Sequence, residues 1–301
     1  ISMGGNFLSA TPDTKRTAKA LQNVGLTVQV STKLNRSHLI TGETALILPV
    51  LGRTELDQTT SGEQFVTVEN SMGVVHRSKG NMKPVSSTLM SEPSLIARLG
   101  EKLCPDLLDW ASLGSHYDSI RDLMANSLNG FEDYNTRVRE TNGFLLPNPP
   151  RDNCDFATES GKAVFTTHPL PNLHVDNDHF VLMTIRSHDQ YNTTIYGLHD
   201  RYRGVHGNRR IVFMNALDMS ERGLKTRDIV DMTSHFNTIK RNSSNWIVVP
   251  YEIPRGNLAA YFPEANELVP LDSTADISNT PTSKWIEVSI STSPLMIAEE
   301  E

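Results

Sequence analysis

Residues 184–197 read TIRSHDQYNTTIYG, so that Arg186, Ser187, His188, Asp189, Gln190, Asn192, Thr193 and Thr194 follow directly on the apolar run Phe180–Ile185. Donors and acceptors at this density are costly to bury at a strand end unless something hydrogen-bonds them; a solvated polar loop is the plain alternative. His188 beside Asp189 invites a hydrolytic reading. Neighbours on an extended chain point to opposite faces, however, and no GxSxG elbow or HExxH helix accompanies the pair. A second cluster spans NLAAYFPEANELVPL (257–271) and SNTPTSK (278–284), where Pro254, Pro263, Pro270 and Pro281 stiffen segments that carry Asn266, Ser283 and Lys284. An amide offers donor and acceptor side by side, which matches the edge of a flat heterocycle such as a pterin or purine. A third stretch, MGGNFLSATPDT, puts Gly4, Gly5 and Asn6 between a short strand and a helix. Backbone can approach a ligand closely there, although an ordinary strand-to-helix turn accounts for it equally well. The basic run RYRGVHGNRR (201–210) reads as a solvated loop, with arginine contacts to phosphate or carboxylate groups as the alternative.

Two kinds of architecture must hold these clusters. Residues 1–50 alternate in the α/β manner. An apolar start (Ile1–Met3) precedes a helix from Thr14 to about Val24, with Ala18, Leu21 and Val24 at helical spacing and Gly25 as its C-cap. LTVQVS (26–31) follows as a strand, and ALILPV (45–50) has the composition of a parallel strand buried on both faces. EQFVTVENSMGVVHRS (63–78) reads as a hairpin turning at 70–73, with helices expected from Ser91 and over roughly 108–129. The Pro- and Asn-rich TNGFLLPNPPRDN (141–153) marks a domain boundary. Beyond Gly161, short β-type runs (AVFTTH, HFVLMTIRS, RIVFMN, DIVDMTS, NWIVVPYEI, KWIEVSI) are separated by turns, and helical periodicity nearly vanishes. The expected fold is a partial α/β domain over 1–150 followed by an all-β barrel over 151–301.

Composition bounds the function classes. With 301 residues, 38% hydrophobic and 21% charged, the chain is an ordinary globular protein of two domains. No window approaches the roughly 18 apolar residues of a membrane helix, so no membrane span is expected. A net charge of -7 argues against a general nucleic-acid binder, though not against a local phosphate pocket. Cys104 and Cys154 lack metal-site spacing and read as reduced structural thiols of a cytoplasmic protein. The first residues, ISMGGNF, read as a strand already under way, which suggests a piece of a longer protein.

Taken in order, several motifs resemble one family. Gly4-Gly5-Asn6 with Pro12-Asp13 comes first, then ETALILPV with Glu55, VENSMGVVHRS, FATESGKAVF, TIRSHDQYNTTIYG, GLKTRDIVDMTS, AAYFPEANELVPL and SNTPTSK. Together they resemble the C-terminal part of the molybdopterin oxidoreductases, the superfamily of formate dehydrogenases and dimethyl sulfoxide reductase, and most closely its formate dehydrogenase-like, YdeP-type alpha subunits. The resemblance implies a bis(molybdopterin guanine dinucleotide) molybdenum cofactor held between domains and capped by a double-psi β-barrel. On this basis Gly4, Gly5 and Asn6 would contact a guanosine diphosphate portion. Thr184, Arg186, His188, Asn192 and Thr193 would form the first cofactor loop of the barrel, and Asn266, Ser283 and Lys284 its closing loops near the pterin. No catalytic residue is expected in this chain, because the family's 4Fe–4S cysteines and metal ligand lie upstream of the matched region. Cys104 and Cys154 fall outside its motifs, and RSHDQYNTT departs from the family's commoner His/Trp-rich wording. The activity implied is electron transfer on a small molecule, formate-like by analogy, with a redox partner protein. A non-catalytic module binding a nucleotide or a protein is the alternative of a different class, and a hydrolase using His188 and Asp189 is a third.

Overall fold

The computed structural model describes residues 1–169 and 175–293. The glycine stretch emerges from a parallel sheet in which β1 (Ser2–Met3), β2 (Leu26–Ser31) and β3 (Thr44–Pro49) lie side by side in that order. α1 (Phe7–Ala10) and α2 (Thr14–Gln22) form the first crossover. α2 closes at Asn23, whose N–H reaches the carbonyls of Lys19 and Ala20. Gly25 is therefore not the cap; its carbonyl instead accepts from Thr44 N–H at the start of β3. β3 corrects a second expectation. It is the edge of the sheet and exposed at every position, with Leu46 46% and Ile47 49% accessible. The run has the composition of a covered strand, but burial depends on what packs against it, and no neighbour covers it here.

The hairpin forms as expected from β4 (Val66–Glu69) and β5 (Val74–Ser78), turning through Gly73 at φ +80°. α3 (Glu92–Leu103) starts at the Ser91 N-cap, where the hydroxyl accepts from Ser94 N–H. The helix expected over 108–129 is two, α4 (Trp110–Ser115) and α5 (Tyr117–Ser127), broken where His116 is extended. Gly100 lets α4 dock on α3: a Cβ there would lie 2.6 Å from the Trp110 ring. The boundary stretch contributes β6 (Phe144–Leu145), which adds to β5, and then a short helix, Pro149–Asn153.

Six strands of the second half close into a barrel: β7 (Phe180–Ile185), β8 (Ile211–Met214), β9 (Ile229–Phe236), β10 (Ile239–Pro250), β11 (Asn257–Tyr261) and β12 (Ile286–Thr292). Around the barrel the order is β8-β10-β9-β12-β7-β11, with β8/β10 and β7/β11 parallel and the other pairs antiparallel. Alternate residues point inward, and Phe180, Leu182, Val230, Met232, Trp246, Val248, Ile286 and Val288 fill the interior. β8 is buried on both faces because Val205 and Tyr261 cover the outer side of Ile211 and Phe213. AVFTTH forms no strand and pairs with none among the described residues. The apolar start of NLAAYF is barrel strand β11, and a short helix, α6 (Ala216–Glu221), interrupts the β-rich half.

Asp13 joins the two halves. In left-handed backbone at φ 50°, it caps α2 by accepting from Arg16 N–H. Its other oxygen accepts from Arg241 Nε of β10 at 2.6 Å, and its N–H points at the carbonyls of Asn266 and Val269. Both side chains are buried, and the two terminal nitrogens of Arg241 and the hydroxyl of Ser234 opposite it on β9 have no partner. Among the described residues, Asp13 is therefore the one anion paired with this guanidinium. The nearby Arg16–Asp272 pair is exposed. Asp13→Asn keeps an N-cap and tolerates the left-handed backbone while removing the charge. It should cost about 3–5 kcal/mol in denaturant unfolding, against about 0–1 kcal/mol for Asp272→Asn. Equal costs would show that Asp13 acts only as a cap.

Candidate functional site

β7 delivers Thr184 to one end of the barrel, where the closing segment is laid against it. The buried Thr184 donates its N–H to the Ser283 carbonyl at 2.9 Å, and its own carbonyl accepts from Lys284 Nζ. Arg186 then leaves the sheet and donates to Asn192 Oδ1 at 2.7 Å. Asn192, at φ 49°, and Thr193 form the two-residue tip between the paired segments Gln190–Tyr191 and Thr194–Ile195. Thr184, Arg186, Asn192, Thr193, Ser283 and Lys284, far apart in sequence, thus form one cluster. Desolvation first, and the neighbouring positive charge of Arg186 second, hold the Lys284 ammonium below its usual pKa. Among the described residues neither Arg186 nor Lys284 forms a salt bridge. These two neighbouring cations, neither of them in a salt bridge among the described residues, leave net positive charge at this end of the barrel.

Beneath this loop, in a basic run whose composition reads as solvated, lies a buried hub. Arg209 is only 6% exposed. Its guanidinium grips Glu264 at 2.7 and 3.1 Å, donates to Ser187 Oγ at 2.6 Å, and reaches Gln190 Oε1 and the Phe262 carbonyl at 2.9 Å each. Gln190 Nε2 in turn donates to the carbonyls of Phe262 and Asn192 at 2.6 and 2.7 Å. The loop is therefore fixed from below, on the cis Phe262–Pro263 bond and the 3-10 turn Glu264–Leu268. Arg210 follows the same pattern, pairing with Glu267 at 2.7 Å over the Trp246 ring. The spacing of the two acids, three residues apart in PEANEL, against the adjacent arginines is the one hint the sequence offers.

Asn266 links this hub to the glycine stretch. It is 3% exposed, and its Nδ2 donates to the carbonyls of Ser9 and Ala10 at 2.9 and 2.8 Å. Its amide N–H groups are thus committed to α1, not free toward a ligand. At the other end of α1, Gly4 has φ +68° and a Cβ built on Gly5 would meet nothing within 4 Å, so backbone is open to close approach. Asn6 Oδ1 is buried without a partner, an acceptor that lacks a donor. His188 is exposed, its ring 3.7 Å from that of Tyr202; no hydrogen bond joins it to Asp189, and no hydrolytic dyad is assembled. Cys104 and Cys154 are both exposed, at the C-caps of helices, and serve as no structural core.

Two further polar groupings lie elsewhere. Asp200, 2% exposed, accepts from Tyr261 Oη at 2.7 Å and from Arg203 at 2.6 Å, and Arg203 also reaches the Arg186 carbonyl at 3.2 Å. Burial alone would raise the Asp200 carboxyl, but the hydrogen bonds from Tyr261 and Arg203 and the Arg203 charge outweigh it and hold the pKa low. Burial and the same hydrogen bond push the Tyr261 phenol up. In the first half, a cavity of about 1000 Å³ opens beside α3 and α4, lined in part by Asp57, Ser91, Ser94 and Arg98. Beside it Tyr117 donates to Asp57 at 2.6 Å, and its pKa is pushed up to about 12, by burial first and by Asp57 second. Nothing in the sequence marked this cavity.

The closed barrel and its loop cluster define a class. Residues 180–286 match the model of the Molydopterin dinucleotide binding domain. This segment is thus a molybdopterin dinucleotide-binding domain, and the chain as a whole is similar to the C-terminal part of a molybdopterin oxidoreductase. It is 51% identical over 295 residues to an uncharacterized oxidoreductase of Mycobacterium tuberculosis, covering 96% of this chain and 38% of the relative. To Protein YdeP of Escherichia coli it is 42% identical over 299 residues, covering 96% and 39%. The chain thus spans about two fifths of the length of the curated relatives it matches. Among solved structures, Acetylene Hydratase from Pelobacter acetylenicus shares the fold, with a TM-score of 0.60 at 13% identity over 96% of this chain and 43% of that one. No described helix is long and apolar enough to cross a membrane.

The Asp200 pair makes stability depend on pH. A carboxylate whose folded pKa is depressed contributes stability that is fully present above its unfolded value of about 3.9 and is lost as pH falls through the folded value. Melting curves of the wild type and Asp200→Asn should therefore be well separated at neutral pH and converge below about pH 4. A constant separation down to acid pH would remove the charge from the account.

Proposed function

We propose that this chain forms one wall of a bis(molybdopterin guanine dinucleotide) site in a longer molybdenum oxidoreductase, with residues 1–150 and 151–301 as two domains flanking the cofactor and the barrel of the double-psi type. The carrying observation is the Arg186–Lys284 cation pair, which has no carboxylate among the described residues and lies within the matched dinucleotide-binding segment. When bound, the cofactor supplies redox chemistry that amino-acid side chains lack. Arg186 and Lys284 would offset its anionic charge. The Asn192–Thr193 tip and Ser283 would give directed hydrogen bonds. The open backbone at Gly5 would admit a ligand closely, while the unpartnered Asn6 Oδ1 would accept from a ligand N–H, as a guanine edge could provide. His188, tilted against the Tyr202 ring, would border the same loop. Asn266 would act by positioning, since its amide fastens α1 to the barrel.

Within this reading the chain carries no catalytic residue. The 4Fe–4S cluster and the metal ligand belong to other segments of the parent protein, which would be cytoplasmic and would exchange electrons with a partner protein. The substrate is a small molecule, formate-like by analogy. Fold alone does not decide the reaction, since the solved structure sharing it is named a hydratase.

The test uses the full-length protein from cells that make the cofactor. Arg186→Gln with Lys284→Gln should lower both molybdenum and acid-released guanine nucleotide at least tenfold, while leaving the melting temperature close to wild type. Full occupancy in the double variant would overturn the assignment of these cations.

A further inference from the structure

The opposite end of β7 carries a second cluster that the cofactor reading does not use. His179 directly precedes β7, and Glu287 sits on the neighbouring strand β12, where the register pairs it with Val181. Phe180 and Val288 point into the barrel, so His179 and Glu287 face outward by strand alternation. His179 Nδ1 lies 2.6 Å from Glu287 Oε1 and 3.9 Å from Asp176 Oδ2, and one ligand atom from each of the three falls within 4.8 Å of the others. From Thr184 this cluster is separated by about 17 Å of strand, at roughly 3.3 Å per residue.

We propose that Asp176, His179 and Glu287 form a binding site for a divalent transition ion of the zinc class. The donor set, one imidazole nitrogen and two carboxylate oxygens, suits zinc, with water completing four-coordination. A tetrahedral ion with bonds of about 2.1 Å holds its ligand atoms about 3.4 Å apart. The His179–Glu287 contact must then open, and the Asp176 contact close, each by under about 1 Å. The side chains permit this: Asp176 is 72% exposed and free to adjust, while His179 and Glu287, at 17% and 30%, are set by adjacent hydrogen-bonded strands.

Three strands preorganise the imidazole. The His235 ring on β9 stacks on that of His179 at 4.2 Å and 22°, and is itself held by Ser289 Oγ at 2.8 Å. The ring plane of His179 is therefore fixed before any ion arrives. Lys240, paired with His235 across β9 and β10, and Arg222, which donates to the Asp178 carbonyl at 3.1 Å, are cations near the cluster that oppose a metal, against its two carboxylates. An ion here would fasten Asp176, on the segment entering the barrel, to two barrel strands. Its role would be structural.

The test uses tag-free intact protein stripped with a chelator, then titrated calorimetrically with zinc chloride, with cobalt chloride as a spectroscopic stand-in. Wild type should show a binding event that is absent in His179→Gln and at least tenfold weaker in Glu287→Gln. Cobalt should give the visible absorption of a four-coordinate site in wild type and not in His179→Gln. Zinc should raise the melting temperature of wild type and of the control His206→Gln, and not that of His179→Gln. Circular dichroism checks that each variant is folded; Glu287→Gln, on the outer face and able to keep a hydrogen bond to His179, serves if His179→Gln is not. Equal zinc uptake by wild type and both variants, or none by wild type, would overturn the site and leave His179–Glu287 as a hydrogen-bonded pair only.

Discussion

A single buried carboxylate, Asp13, fixes how the two halves of this chain meet. It starts α2, holds Arg241 of the barrel, and places its N–H against the turn that contains Asn266. A buried guanidinium stripped of its anion is costly, so the position of α1 and of the glycine stretch before it is set by this contact. Asn266 fastens the same joint from the other side through the carbonyls of Ser9 and Ala10. A ligand shared between the halves would rely on this joint.

A barrel interior supplies stability, but its loops carry the chemistry, and loops need support. Here Arg209 provides it by linking Ser187, Gln190, the Phe262 carbonyl and Glu264. With those groups mutually satisfied below, Arg186 and Lys284 are left above without acidic partners among the described residues. Satisfied polar groups behind a site and unsatisfied charge in front of it are the usual division between scaffold and binding surface. The Asp200–Tyr261–Arg203 grouping supports the loop from another side, through the Arg186 carbonyl.

Alternation made the barrel strands readable, because inward and outward residues differ along β7, β9 and β12. The parallel start was readable from its helix and strand order. Burial of β3 was not, since it is decided by what lies alongside. AVFTTH shows the complementary failure, an alternating run with no partner strand among the described residues. The site was legible as loops rich in directed polar groups; their partners were not. Asn266 bonds residues more than 250 positions away, and Arg209 bonds residues 19 and 55 positions away. Such pairings exist only once the barrel closes, and local composition made Arg209 look like a surface charge. Motif order carried the family where single residues could not.

The bare edge of β3 bears on how this chain behaves in solution. Leu46, Ile47 and Leu48 lie along a strand with one unpaired row of backbone donors and acceptors, which only Pro49 at its end interrupts, with no lysine or bulge. Such an edge is a template for strand addition. Kept by itself at high concentration, the chain would tend toward edge-to-edge self-association and precipitation through this strand, although the barrel at its other end is closed and has no edge to offer.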